Sequence, residues 1–175
     1  GAFLVGEEER REVEEILQSG YLSRYGSLEN PDFKRKVATL EEMFAGIIGV
    51  KHCLAVNGGT SAIMASLAAL GIQPGAEIIV PGYTYIATMS AVIAVGGVPV
   101  LAEIDESLTL DPDDVRRKIT DKTQGVIPVH MLGNPCDMDR IMKTAREHRL
   151  FILEDGCQAL GAGYKEKKVG SFGDM

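Results

Sequence analysis

Three stretches of this chain hold the residue types from which chemistry could be built. Asn57-Gly58-Gly59-Thr60-Ser61 separates a short apolar run from a small-residue segment of helical character. Adjacent glycines let a backbone approach a ligand closely, and the first amides of a helix are free to meet an anion. The hydroxyls of Thr60 and Ser61 add donors, and the helix dipole alone would contribute ~0.3–1 kcal/mol toward a phosphate. A plain tight turn capped by Thr or Ser explains the same text equally well, because it is neither GxGxxG nor a Walker loop. Pro81-Gly82-Tyr83-Thr84-Tyr85 follows the next apolar run. Aromatics in such a loop can form a platform for a planar ring, worth roughly 0.5–1.5 kcal/mol beyond burial. Tyr83 reads more simply as surface packing.

The third stretch is Leu150-Phe151-Ile152-Leu153-Glu154-Asp155, followed by Gly156-Cys157-Gln158. It reads as a buried strand, and ligands of open α/β sheets collect beyond the carboxyl ends of strands. That places Asp155 on a rigid element at a ligand-binding edge; the plainer alternative is that it caps the following turn. Gln158 lies three residues on, where a turn would bring both side chains to one side. It could donate to a ring oxygen or be an ordinary surface residue. A lone His130 after Val129 is more often structural than catalytic. Lys165-Glu166-Lys167-Lys168 reads as a solvated hairpin tip, not a set of reactive amines. Together these stretches supply a phosphate cradle, an aromatic platform and a buried carboxylate at one sheet edge. A planar, phosphorylated, protonatable heterocycle fits all three. Pyridoxal phosphate is such a molecule, since a carboxylate keeps its ring nitrogen protonated and the ring then serves as an electron sink.

The elements that must position these groups are legible in order. Residues 7–19 form an amphipathic helix with Val13, Ile16 and Leu17 on one side, ended by Gly20. Residues 21–31 form a long loop, rich in turn formers, whose length hints at function. Phe33, Val37, Leu40, Phe44, Ile47 and Ile48 keep helical spacing until Gly49. Strands are expected at 53–56, 77–80, 98–104, 125–129 and 150–155, with helices at 62–70, 86–95 and 138–149. Another helix starts at Asp111-Pro112-Asp113-Asp114, with Asp at the cap, Pro at the first position and acids in the first turn. Pro128 points to an edge or to a strand's end. A hairpin closes the pattern at 161–170. Alternating strands and helices mean βαβ units, hence an α/β fold: three layers, αβα, around a mostly parallel sheet.

Composition bounds the rest. The chain has 175 residues, 45% of them apolar, enough for a real core. Its formal charge of −7 argues against nucleic acid or an anionic membrane as partner. No apolar run has the length of a membrane span. Cys53, Cys136 and Cys157 are odd in number without CxxC spacing, and His52, His130 and His148 are scattered. That favours a reducing, cytoplasmic location and speaks against a disulfide framework or a metal site.

Motifs in one order carry a resemblance over almost the whole chain. They are Gly49-Val50-Lys51-His52, Asn57 to Ala62, Glu77 to Thr88, Gly97 to Val100, Val129 to Asp137, Leu153 to Ala159 and Gly170 to Asp174. The sequence resembles the large-domain half of the DegT/StrS-type sugar aminotransferases, pyridoxal-phosphate enzymes of fold type I. The resemblance implies that Gly59, Thr60 and Ser61 hold the phosphate and that Tyr85 stacks on the ring. It implies that Asp155 is the catalytic carboxylate on the ring nitrogen, and that Gln158 is a neighbouring ring contact. Arg24 and Tyr25 fall in the loop that borders the substrate. Ser23-Arg24-Tyr25-Gly26 is similar to the text of aminotransferases acting on 3-keto sugar phosphates in kanosamine formation.

The expected reaction moves an amino group from glutamate or glutamine to a keto sugar, sugar phosphate or cyclitol, in amino-sugar or antibiotic biosynthesis. A homodimer with the active site at its interface is expected too. The resemblance divides the chain into an N-terminal helical arm with the substrate-bordering loop, 1–50, and the cofactor-binding large domain, 51–175. It places the Schiff-base lysine beyond Met175, with the small C-terminal domain outside this sequence. Alone, the chain is then expected to bind the cofactor poorly and to turn over nothing. A sugar 3-dehydratase, with histidine in place of that lysine, and a non-catalytic regulatory homologue share the same visible motifs. An unrelated nucleotide-binding α/β domain is disfavoured, because no acidic residue follows the glycine loop at dinucleotide spacing.

Overall fold

The structure, a computed structural model, describes residues 4–175, so the first three residues of the expected N-terminal arm lie outside the described residues. It divides into two compact units. The first runs through Gly46 and includes Lys51–Ala55; the second comprises Ile47–Val50 and Val56–Met175.

In the first unit, helix α1 spans Glu7–Ser19. Glu9 accepts the Gly6 amide at 2.7 Å, three glutamates occupy the positive end of the helix, and Gly20 ends it in the left-handed region. Helix α2 spans Lys36–Ile48 and starts later than the apolar spacing from Phe33 predicts. Arg35 adopts a left-handed φ of 54°, which a helix cannot run through. Phe33 instead packs its ring 5.2 Å from that of Tyr21. Glu41 is the hub of this unit, taking the Arg24 guanidinium on both oxygens at 2.8 and 2.6 Å and the Ala55 amide at 2.8 Å. The amide and the guanidinium hold its carboxyl below the usual range. Residues 53–56, expected as a strand, carry no regular secondary structure and pair with no strand among the described residues.

The second unit carries helix α3 (Gly59–Ala69), strand β1 (Glu77–Pro81), α4 (Ala87–Ala94), β2 (Val98–Ala102), α5 (Pro112–Lys118), β3 (Thr123–Val126), α6 (Met138–His148) and β4 (Phe151–Ile152). The strands form one parallel sheet in the order β2-β1-β3-β4. Alternation along β1 shows why it is the middle of three layers. Ile78 and Val80 point into a core with Ile63, Leu67, Ala91 and Val92 of α3 and α4; Ile79 points into the opposite core with Val115, Met138 and Ile141 of α5 and α6. Asp111 caps α5 by accepting the Asp113 amide, and Asp137 caps α6 by accepting the Arg140 amide.

Two strand readings need correction. The strand expected over 125–129 forms at Thr123–Val126. Pro128 therefore marks the strand's end and not an edge, since β3 lies between β1 and β4. The strand expected over 150–155 keeps regular pairing only at Phe151–Ile152. Beyond it the chain still runs parallel to 126–130, with Leu153 donating to Val126, Asp155 donating to Pro128 and His130 donating to Asp155. On the other side of β4, Ile152 accepts the Met175 amide at 3.4 Å and Glu154 donates to Met175 at 3.0 Å, which brings the last residues alongside it. The polar hairpin forms as β5 (Gly163–Tyr164) and β6 (Lys167–Lys168), with Lys165 paired to Asp139.

Candidate active site

A pocket of about 190 Å³ opens at the carboxyl end of the sheet, in the second unit. It is lined by Gly59 and Thr60 from the start of α3, by Thr84, Tyr85 and Thr88 around the start of α4, and by Asp155, Cys157 and Gln158 after β4. The volume is below the ~300–1,000 Å³ usual for small-molecule clefts, so these walls wrap part of such a ligand.

Each wall is positioned by a local cause. Gly58 is extended, and its carbonyl takes the first bond of α3, from Ala62. The amides of Gly59, Thr60 and Ser61 therefore precede the helical ladder, and no described residue accepts them. A Cβ on Gly59 would stand 3.4 Å from the Cys157 sulfur, so the glycine is what lets these two walls close up. Tyr85 is 70% exposed and offers an open ring face. Tyr83 and Ser61 do not line the pocket.

Asp155 is the one charged residue lining the pocket among the described residues. Its Oδ1 accepts the Cys157 amide at 3.1 Å, so the turn-capping alternative is realised; its Oδ2 accepts the Thr88 hydroxyl at 3.2 Å. Two donors leave lone pairs to spare on a group that, when ionised, only accepts. Gln158 uses Oε1 to accept the Leu132 amide at 3.0 Å. A backbone N–H can only donate, so the amide's orientation is fixed and its NH2 is left for the pocket. Leu132 holds that amide in place from a left-handed φ of 54°.

Two functional groups escaped the reading of the residues. Thr88 is fully buried, with its hydroxyl 3.0 Å from that of Thr84; its only trace in the sequence is its place three residues after Tyr85. Glu154 is the second. Its carboxylate accepts His130 Nε2 at 3.1 Å and the amides of Gly170, Phe172 and Gly173 at 2.8, 2.6 and 2.7 Å. Burial pushes this carboxyl up, but the His130 bond and the three amides outweigh that and hold it below its ordinary value. His130 is indeed structural: it is fully buried, and its Nδ1 accepts the Cys136 amide at 3.1 Å, which makes the Nε2–H tautomer the donor to Glu154. Burial also pushes the Cys136 thiol up to about 11. Arg24 and Tyr25 belong to the first unit, where Arg24 is engaged by Glu41 and Tyr25 is 73% exposed.

The pocket fits a phosphorylated pyridine: free helix-start amides for the phosphate, an open aromatic face, a spare carboxylate edge and a spare NH2. Among the described residues no group of His, Cys, Asp and Glu is placed to hold a metal ion, and no helix is long and apolar enough to cross a membrane.

Comparisons with known proteins agree with the geometry. A profile of the DegT/DnrJ/EryC1/StrS aminotransferase family matches residues 4–175. The chain is 42% identical to the spore coat polysaccharide biosynthesis protein SpsC of Bacillus subtilis, over 98% of this chain and 42% of SpsC. It is 41% identical to the GDP-perosamine synthase of Caulobacter vibrioides, over 95% of this chain and 43% of that enzyme. Among solved structures, NtdA from Bacillus subtilis with bound cofactor PMP superimposes with a TM-score of 0.78 at 33% identity, covering 94% of this chain and 37% of that one. The chain thus spans less than half the length of the curated relatives it matches.

Proposed function

Since the chain belongs to the DegT/DnrJ/EryC1/StrS aminotransferase family, whose members are pyridoxal-phosphate-dependent enzymes of fold type I, we propose that it supplies the cofactor-binding half of a sugar aminotransferase. The observation that carries this reading is one pocket bounded by the unbonded amides at the start of α3, the open face of Tyr85 and the half-satisfied carboxylate of Asp155. The Gly59 and Thr60 amides would bind the phosphate, with Ser61 adding its amide from the same turn. Tyr85 would stack on the ring, Gln158 would donate to the ring oxygen, and the Asp155 carboxylate would hold the proton of the ring nitrogen. When bound, pyridoxal phosphate supplies the electron sink for transamination. No lysine lines the pocket among the described residues.

The acceptor is a keto sugar, sugar phosphate or cyclitol and the donor glutamate or glutamine. The name GDP-perosamine synthase, carried by a relative, supports a sugar acceptor, and the Arg24-Tyr25 text favours the kanosamine-type subgroup. Arg24, anchored by Glu41, and Tyr25 are the substrate-bordering residues that the family resemblance implies. A homodimer with the site at its interface is part of this reading, as is a role in amino-sugar or antibiotic biosynthesis. So is a cytoplasmic location, in keeping with three free cysteines.

Absorbance of the full-length protein incubated with pyridoxal phosphate tests the proposal. A visible band removed by borohydride is expected, and a protein that stays colourless would overturn it.

A further inference from the structure

A carboxylate held by one donor can still turn, because the terminal torsion of aspartate is broad and roughly two-fold. Asp155 is held by two donors on different elements. The Cys157 amide, on its own turn, meets Oδ1 at 3.1 Å, and the Thr88 hydroxyl, on α4, meets Oδ2 at 3.2 Å. Thr88 is fully buried and lines the pocket from the same helix start that carries Tyr85. A hydroxyl has one hydrogen. If Thr88 gives it to Asp155, then in the 3.0 Å contact between the two threonine hydroxyls Thr84 must be the donor. The bonds thus run one way, from Thr84 to Thr88 to Asp155. A helical threonine commonly turns its hydroxyl back to a carbonyl of the preceding turn; Thr88 spends its hydroxyl on the carboxylate instead.

We propose that Thr88, steered by Thr84, is a positioning residue that fixes the plane of the Asp155 carboxylate so that its remaining lone pairs meet the cofactor's ring nitrogen. This rests on the reading of Asp155 given above. The hydroxyl also stabilises the ionised carboxylate, so without it the shared proton moves from the ring nitrogen toward Asp155.

The test is the full-length protein loaded with pyridoxal phosphate carrying 15N at the ring nitrogen, with cofactor affinity measured alongside. In the parent protein the nitrogen signal should be that of a protonated pyridine. Thr88→Val, which keeps the shape and removes the hydroxyl, should move the signal toward unprotonated pyridine and weaken cofactor binding roughly tenfold, as expected for a hydrogen bond to a charged group. Thr88→Ser should restore both readouts, and Thr84→Val should give a smaller change in the same direction. An unchanged signal in Thr88→Val, or a serine variant that behaves like the valine one, overturns the proposal, because the hydroxyl would then be only a satisfied buried group. Should Thr88→Val fail to fold, an unchanged signal in Thr84→Val does the same. A parent protein that binds the cofactor with an unprotonated ring overturns the Asp155 reading and this inference together, whereas a protonated parent with an unresponsive Thr88→Val overturns this inference alone.

Discussion

Glu154 and Asp155 leave the end of β4 toward different surroundings. Around Glu154 four donors close in, three of them backbone amides of the segment at 170–173, and neither its side chain nor that of His130 is exposed. Around Asp155 only two donors approach, and the rest of the carboxylate opens to the pocket. Adjacent carboxylates on a strand end point to alternate sides, so one faces the packed turn and the other the cavity. A saturated carboxylate is a fastener; an under-coordinated one in a pocket keeps lone pairs for a ligand. The number of donors on each distinguishes them.

The comparison can be broken from either side. The largest effect is expected for Glu154→Gln, which sets an NH2 against donors that need an acceptor and should cost roughly 3 kcal/mol of stability, the upper end for leaving buried donors without an acceptor. It should be read in the full-length protein as loss of amide-exchange protection at Gly170, Phe172 and Gly173. If those amides stay protected, the fastener reading is wrong. Asp155→Asn should do the reverse. The amide keeps an oxygen for the Cys157 N–H and an NH2 for the Thr88 hydroxyl, so the melting temperature should hold. Turnover should fall about 10²–10³-fold, the scale of losing one preorganised electrostatic partner. A large drop in melting temperature would erase the contrast.

Gly173→Ala sharpens the same point, because its Cβ would stand 2.6 Å from the Ile152 carbonyl oxygen, a backbone atom. A loss of about 1–3 kcal/mol is expected, measured as a lowered urea midpoint. The smallest effect is with acid. The Glu154 carboxyl titrates lower folded than unfolded, where glutamate titrates near ~4.3. The unfolded chain therefore takes up the proton first as pH falls. The stability that Glu154 contributes is complete above that value and is lost as pH drops through the folded one. Acid unfolding of Glu154→Gln should accordingly be less steep than that of the parent between those two values.

Much of this was written locally. The caps at Asp111 and Asp137, the glycine stop at Gly20 and the apolar run of β1 all rest on interactions within a few residues, and they formed as read. The misreadings share a cause. Apolar spacing placed the start of α2 at Phe33, but a left-handed Arg35 and the Tyr21 ring took Phe33 elsewhere. Residues 53–56 have a strand's composition, yet a strand needs a neighbour, and none of the described strands pairs with them. Pro128 allowed an edge or a strand's end, and only the pairing of β3 on both sides, with its stop at Val126, decided for the end.

By itself the sequence determined the elements, the parallel three-layer class and the family motifs, since propensity, capping and periodicity act between near neighbours along the chain. Only the tertiary structure decided which of two consecutive acids would be buried under amides and which would face a pocket. Those amides come from residues 170–173 and the Thr88 hydroxyl from α4, 16 to 19 and 67 positions away along the chain. Hydrogen bonds between such distant residues exist only once the sheet has brought its strand ends together.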